Sequence, residues 1–355
     1  MSLYQRLEPP ALKMVSFKLD DCLERSFRLP FMCKDGKLAS VILWSKRSVV
    51  WREPIDQRGW TLQESLISIR NLEYGENQIH WQCRSSRQTD GWTPGKIENF
   101  GVYVDWDMVA GHSPQPELFE NFISKWTRIV ENYSMRNLGR PDDKLIALSS
   151  IARKFGQLSG KEYVAGLWKH ALPRFLLWQP FGTGKYIPKY VAPSWSWAPI
   201  DGGIRFNTFL GVQMNVINIS VVTLVLNDIY SPVMAGHLEI RAKVRHVMIY
   251  PRAAQFNISK CQRLCFSYPN LPYAKIGCGY CDVSADDLDQ DFWNEKVLLL
   301  QVALEGGLIL RQLKDGTFCR IGMFDHQTLN FDDRQHNLNE LWQYPDWVER
   351  SVLIV

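Results

Sequence analysis

The apolar pattern changes period near residue 200, and that change constrains the fold more than any other feature of the chain. Between residues 116 and 134, Phe119, Phe122, Ile123, Trp126, Ile129, Val130 and Tyr133 recur at helical spacing and form one stripe. Pro116 and Glu117 suit the first turn of that helix. A second helix is expected over about 142–158, opened by Pro141-Asp142-Asp143 and closed near Gly156. A third is expected over about 163–178, bent or ended by Pro173. Residues 188–203, rich in Pro, Trp and Gly, read as an irregular crossing segment. Beyond it, residues 216–226, 236–250, 297–304, 307–313 and 318–324 alternate and are rich in β-branched residues. Gly306-Gly307 and Lys314-Asp315-Gly316-Thr317 punctuate them as turns. The expected class is therefore α+β, a helical first half packed on an antiparallel β-barrel or sandwich. Residues 1–200 form the mixed, mainly helical region and 201–355 the β region, together one compact unit.

Shorter signals fill the first part. Residues 38–44 read as a strand after the turn Lys34-Asp35-Gly36-Lys37. Trp60, Leu62, Leu66 and Ile67 place a short helix over 58–68, followed by strands at 69–74 and 78–83 around the turn Gly75-Glu76-Asn77. The 355 residues include 14 tryptophans, about three times ordinary usage. Each indole buries a large area and keeps one N–H in need of an acceptor, so the excess means either large cores or aromatic-lined pockets.

Charge excludes some functions. The net charge is +4, from 41 basic and 37 acidic residues without a basic block, which argues against a nucleic-acid partner. Residues 1–10 carry no apolar h-region, and no run of ~18 apolar residues exists to span a membrane. The expected setting is cytoplasmic, with the eight cysteines mostly reduced and the sequons at Asn132, Asn218 and Asn257 chance matches.

Three groups of residues merit a chemical reading. In Arg58-Gly59-Trp60-Thr61-Leu62-Gln63-Glu64, Trp60 and Glu64 are i,i+4 neighbours and Gln63 lies on the adjoining face. A glutamate beside a buried indole is a candidate acid or base; the plainer reading is a buried pair that fixes the helix. In Pro193-Ser194-Trp195-Ser196-Trp197-Ala198, alternation sends both indoles to one side. They form either an aromatic ligand wall or a plug between the helical and β halves. Cys261, Cys265, Cys278 and Cys281 are spaced nearly as a four-thiolate zinc site, but the segment between them, residues 266–273, is largely apolar, and no metal is expected. Zincin, nucleophile-elbow, P-loop and dinucleotide fingerprints are missing, and Phe181-Gly182-Thr183-Gly184-Lys185 reads as a turn.

The first of these motifs resembles a signature of the fungal heterokaryon-incompatibility (HET) domain family. Tyr74-Gly75-Glu76-Asn77-Gln78-Ile79-His80-Trp81-Gln82-Cys83 is similar to the strand that follows it in that family. Residues 140–148, 163–168, 192–198 and 307–324 resemble its downstream regions, so the likeness covers about residues 25–325. It implies a fungal origin. The family's TIR-like α/β half, with its Ser-Tyr-x-Trp-Gly and Asp-x-x-Cys-Ile-Asn-Gln motifs, has no counterpart here. NAD-cleaving or death-signalling machinery would lie in that half. The chain is expected to be free-standing, with a fragment of a longer protein as the alternative.

Two functions follow as expectations. One is a cofactor-free fungal enzyme of secondary metabolism, holding an apolar small molecule in an aromatic pocket and steering a cyclisation, isomerisation or pericyclic (Diels-Alder-type) step by orientation and charge stabilisation. Trp60, Trp81, Trp195 and Trp197 would be its walls, and Arg58, Gln63 and Glu64 its polar, catalytic anchors. The other is a HET-like incompatibility, immunity or regulatory protein acting by protein–protein contact. A homo-oligomer is compatible with both.

Overall fold

The computed structural model describes residues 27–43, 54–74, 79–83, 86–89, 104, 106, 116–209, 211–250, 263–268, 271–283, 295–325 and 346–355. The chain divides into two compact units, Met1–Trp51 and Arg52–Val355, so no unit boundary falls near residue 200. In the first unit, β1 (Phe27–Met32) and β2 (Leu38–Leu43) form an antiparallel hairpin. Its turn is closed by Cys33 and Lys37, with Gly36 at φ +80. The expected strand is there, with a partner that the sequence pattern did not signal.

The second unit mixes helices with antiparallel sheets. It begins with a 3-10 turn (Pro54–Gln57), α1 (Gly59–Ile67) and a three-stranded sheet of β3 (Arg70–Tyr74), β4 (Ile79–Cys83) and β5 (Arg87–Thr89). The Gly75-Glu76-Asn77 turn lies outside the described residues. Next comes α2 (Pro116–Ser134), with the expected boundaries, which buries Phe122, Ile123, Trp126, Ile129, Val130 and Tyr133. The second expected helix opens as two 3-10 turns, Pro141–Asp143 and Ile146–Leu148, and becomes α-helical as α3 (Ser149–Ser159). It ends at Gly160 (φ +66), not near Gly156. Gly156 lies inside the helix, where a Cβ would stand 2.0 Å from the Tyr230 hydroxyl.

The third expected helix is replaced by a hairpin of β6 (Tyr163–Val164) and β7 (Leu167–Trp168), a 3-10 turn (Lys169–Ala171) and the single turn α4 (Leu172–Phe175). Ala165 (φ 46) and Gly166 (φ 94) both have positive φ, the I′ geometry of a two-residue hairpin, which breaks any helix through this point. The expected crossing segment is likewise shorter than thought. It is flanked by paired strands β8 (Trp178–Tyr186) and β9 (Ile200–Phe206).

The remaining strands are β10 (Asn215–Thr223), β11 (Val233–Tyr250), β12 (Arg263–Tyr268), β13 (Leu271–Cys281), β14 (Lys296–Ala303), β15 (Gly306–Gln312), β16 (Phe318–Asp325) and β17 (Val348–Ile354). They make one eight-stranded sheet. β11 pairs with β12, β12 with β13, β13 with β16, β16 with β15, β15 with β14, and β14 again with β11, all antiparallel. The length of β11 makes this circuit possible. Its first part holds β10 on one side and β17 on the other; its last residues hold β14 and β12.

The core is tied together by backbone carbonyls that receive side-chain donors. Trp126 and Trp197 both donate their indole N–H to the Gly166 carbonyl, at 3.2 and 3.1 Å, and Ser196 donates to the Ala165 carbonyl at 2.6 Å. Around this point Phe122, Trp126, Phe155 and Trp168 meet edge-to-face, with centroids 5.2–5.7 Å apart for four of their contacts. A second tie is Arg320 on β16. It holds Asp282 at 2.9 and 3.1 Å, donates to the carbonyls of Leu176 and Trp178, and lies 3.4 Å over the Trp178 ring. Lys144, 3% exposed, donates to the Ile200 carbonyl and lies 5.6 Å from the centre of the Trp197 ring. Burial pulls its ammonium down from the ordinary 10.5 to about 8, with Asp201 opposing.

Two outcomes follow. Gly166→Ala forces a side chain into φ +94 and places its Cβ 2.9 Å from Trp197 Nε1; denaturant unfolding should show a loss of about 2–3 kcal/mol. For Lys144 the folded pKa lies below the unfolded one, so between pH 8 and 10.5 the unfolded chain binds more protons and stability rises with pH. Denaturation midpoints measured at pH 8, 9 and 10 should carry this climb in the wild type, and that part of the slope should vanish in Lys144→Met.

Candidate functional site

The Arg58–Glu64 motif divides into side chains that build the structure and side chains that face outward. Gly59 is required by contact: a Cβ there would lie 2.4 Å from Leu138 Cδ2, and its N–H donates to the Asn137 carbonyl at 2.8 Å. Thr61 donates its hydroxyl toward the carbonyls of Ile55 and Arg58, at 2.6 and 2.7 Å. Leu62 and Leu66 enter the core. Gln63 accepts the Ser150 N–H at 3.1 Å through its side-chain oxygen. Ser150 lies in the first turn of α3, where backbone N–H groups have no intrahelical acceptor, so Gln63 caps that helix from a distance.

Arg136 anchors this corner from the end of α2. Its buried guanidinium reaches Asn132 Oδ1 (3.0 Å), the Arg58 carbonyl (3.3 Å), Thr61 Oγ1 (3.2 Å) and Asp56 Oδ1 (3.3 Å). A charge with so little water contact is held by this set of acceptors, and the same bonds fix the segment 54–61 against α2.

What remains exposed is Arg58, Trp60 (38%) and Glu64. Glu64 is thus not enclosed beside a buried indole as the sequence pattern led us to expect. It lines a cleft of about 480 Å³ shared by the 3-10 turn, α1 and β3. Asp56, Glu64 and Glu73 supply carboxylates there, Thr61, Ser65, Ser68 and Asn71 short polar groups, and Ile55, Leu72 and Tyr74 apolar surface. Burial along β3 alternates, so Leu72 and Tyr74 are exposed while Asn71 and Glu73 are half-buried. Trp81, half-buried on β4, stands opposite Leu72 in the register.

Trp195 and Trp197 lie elsewhere. Both are 0% exposed, and a wall of a ligand-sized cavity would present surface to a water-sized probe. Trp197 is spent on Gly166, and the Trp195 carbonyl accepts the Trp178 indole at 3.2 Å. The serines that alternate with them are latched as well. Ser194 donates to the Val355 carbonyl and accepts the Arg320 N–H at 2.9 Å, and Ser196 also accepts the Ala198 N–H at 3.1 Å. The expected ligand wall is therefore the plug. The structure brings Glu64 to a cleft, gives Gln63 a capping role and leaves Trp195 and Trp197 in the core.

Cys265 and Cys278 are register partners on β12 and β13, while Cys261 lies outside the described residues. Cys281 is buried, shares its sulfur with the Ile321 carbonyl at 3.5 Å, and burial pushes its thiol up to about 12, which disfavours the thiolate a metal needs. Among the described residues no cluster of His, Cys, Asp and Glu is arranged to hold an ion.

No helix among the described residues is long and apolar enough to cross a membrane. No protein-family model matches this chain, and no curated protein or solved structure matches it at a significant level.

Sequence reasoning singled out Glu64 but missed Asp56, Glu73 and Tyr74 as its neighbours. Their separation in sequence is short; the missing information was the sharp return of the chain at Ser68–Ile69. Gln63→Ala should lower stability by about 1 kcal/mol through loss of the α3 cap, read by thermal or chemical denaturation. A loss of ligand binding without that destabilisation would instead make Gln63 a contact residue.

Proposed function

We propose that this chain is a recognition module that acts by protein–protein contact, as the HET-like regulatory or signalling reading implies, and that the cleft at α1 and β3 is its contact site. We further infer a cytoplasmic fungal protein whose helical layer packs on a closed β-barrel, the strand circuit being the ground for the barrel. The observation that supports the contact reading is the composition of the cleft. The Glu64 carboxylate lies beside exposed Leu72, Tyr74 and Ile55, while Asp56 is paired with Arg136. Such a surface suits an extended segment carrying a lysine or arginine next to an apolar side chain. Trp60, on the outward side of α1, extends the aromatic surface beyond the cleft.

The enzyme reading rested on four indoles around one apolar molecule. With Trp195 and Trp197 in the core, an apolar substrate would have only Trp60 and Trp81 of that set, in a setting rich in carboxylates and hydroxyls. That favours contact with a polar partner over enclosure of an apolar substrate.

Fluorescence anisotropy with a labelled Lys/Leu peptide, and with a Glu/Leu peptide as control, tests this reading. The basic peptide should bind, weaken with added salt, and lose about tenfold in affinity with Glu64→Gln or Tyr74→Ala. Equal binding of both peptides, or indifference to both substitutions, would overturn it. A fungal metabolite that raises the melting temperature and emerges chemically altered would restore the enzyme.

A further inference from the structure

Edge strands of soluble proteins are protected by charge, proline or cover, and β10 has none of these among the described residues. It pairs with β11 on one side only. From Phe206 to Leu238 the only formally charged side chain is Asp228, and Arg153 binds it with two bonds of 2.9 Å. β10 itself, Asn-Val-Ile-Asn-Ile-Ser-Val-Val-Thr, holds no charge and no proline. Bulges at its two ends leave Asn218–Val222 regular against Ala235–Glu239.

The apolar surface continues past the strand. Ile217, Val222 (54% exposed), Leu224, Val225, Leu226 (87% exposed) and Met234 all face water. This is not a frayed tip. Leu224 N–H donates to the Pro232 carbonyl at 2.8 Å, Asp228 N–H to the Val225 carbonyl at 3.1 Å, and Tyr230 N–H to Asp228 Oδ1 at 3.1 Å. Tyr230 fits the notch left by Gly156 and stacks on Tyr163 at 5.3 Å. A backbone this well held keeps its exposed apolar side chains out of the core by construction.

We propose that β10 is a self-association edge, along which two copies of this chain pair β10 to β10, antiparallel, across a two-fold axis. The choice of a second copy rests on charge. In an antiparallel two-fold pair only the residue on the axis faces its own mate; with the ladder Asn218–Val222 centred on Ser220, Val222 of one copy faces Asn218 of the other, and a charged residue meets its like wherever the axis passes through it. An uncharged strand meets none at any register. A neutral edge also offers nothing for a charged partner to recognise, whereas another copy brings an identical neutral edge. The ladder satisfies the outward backbone groups of Asn218–Val222, and the apolar side chains around them are covered.

Sedimentation equilibrium of the full chain, with a denaturation curve for each variant, tests the proposal. The wild type should be a dimer at micromolar concentration. Val222→Lys and Val222→Glu should each weaken dimerisation by about tenfold or more, and adding Asn218→Lys to Val222→Glu should restore the homodimer, because position 222 of one copy faces position 218 of the other. Val222→Thr, uncharged and β-branched, should leave the dimer intact and shows that folding tolerates change at this exposed position. A monomeric wild type, or a dimer that Val222→Lys and Val222→Glu leave unchanged, would overturn it. So would a dimer disrupted by both charges but not restored by the double variant, because position 222 would then not face position 218 across the axis.

Discussion

The larger unit depends on two adjacent carbonyl oxygens, those of Ala165 and Gly166. A hairpin turn of I′ geometry points its carbonyls away from its own ladder, so they need donors from elsewhere. Here the donors are Trp126 from α2 and Trp197 and Ser196 from the segment between β8 and β9. Three stretches far apart in sequence are thereby held at one buried point. An indole is suited to this work because it fills a large volume and brings a single N–H, leaving no other polar atom to satisfy.

The same economy governs the buried cations. Arg136 and Arg320 are each almost without water and each is surrounded by acceptors: a carboxylate, an amide oxygen, a hydroxyl and a backbone carbonyl for Arg136, and a carboxylate with two backbone carbonyls for Arg320. Removing one partner from such a group exposes the full cost of desolvation, so these residues act as fixed corners of the structure. Arg136 is the corner that matters for the cleft: it holds the 3-10 turn and the start of α1 against α2, and so sets where Glu64 and Asp56 stand. Arg320 joins the β circuit to the Trp178 segment, while Ser194 joins it to β17. Asp56 and Thr61 belong both to the Arg136 joint and to the lining of the cleft, so the joint and the cleft share two side chains.

How much of the site was legible follows from which contacts are local. Gly59, Trp60 and Glu64 could be placed on one short helix from spacing alone, and the outward face of that helix is where the cleft lies. The partners that give each residue its role could not. Gln63 caps a helix 87 residues away, and Thr61 answers to Arg136 75 residues on. Trp195 and Trp197 show the limit most directly. Alternation places both indoles on one side of an extended segment, whereas residues 194–199 run as turns and bends, and a ligand wall and a core plug have the same sequence pattern. Only the positions of Gly166 and Trp178 decide between them. The strands β12 and β13, which place Cys265 opposite Cys278 in the ladder, are not read from the sequence, where this stretch is weighed only for its cysteine spacing.

The sequence by itself determined the change from helical to strand periodicity, the helix at 116–134, most strands after residue 215, and the shortage of charge between residues 206 and 238. These are local properties, carried by spacing, β-branching and composition. Tertiary structure alone decided that residues 163–178 are a hairpin and a turn, because two positive φ values are held there by donors from α2 and from the Trp195–Trp197 segment. It also decided that β11 is long enough to begin and end a circuit of strands, and that the cleft belongs to carboxylates and not to tryptophans. Hydrogen-bond partners distant in sequence make each of those choices, and no spacing rule records them.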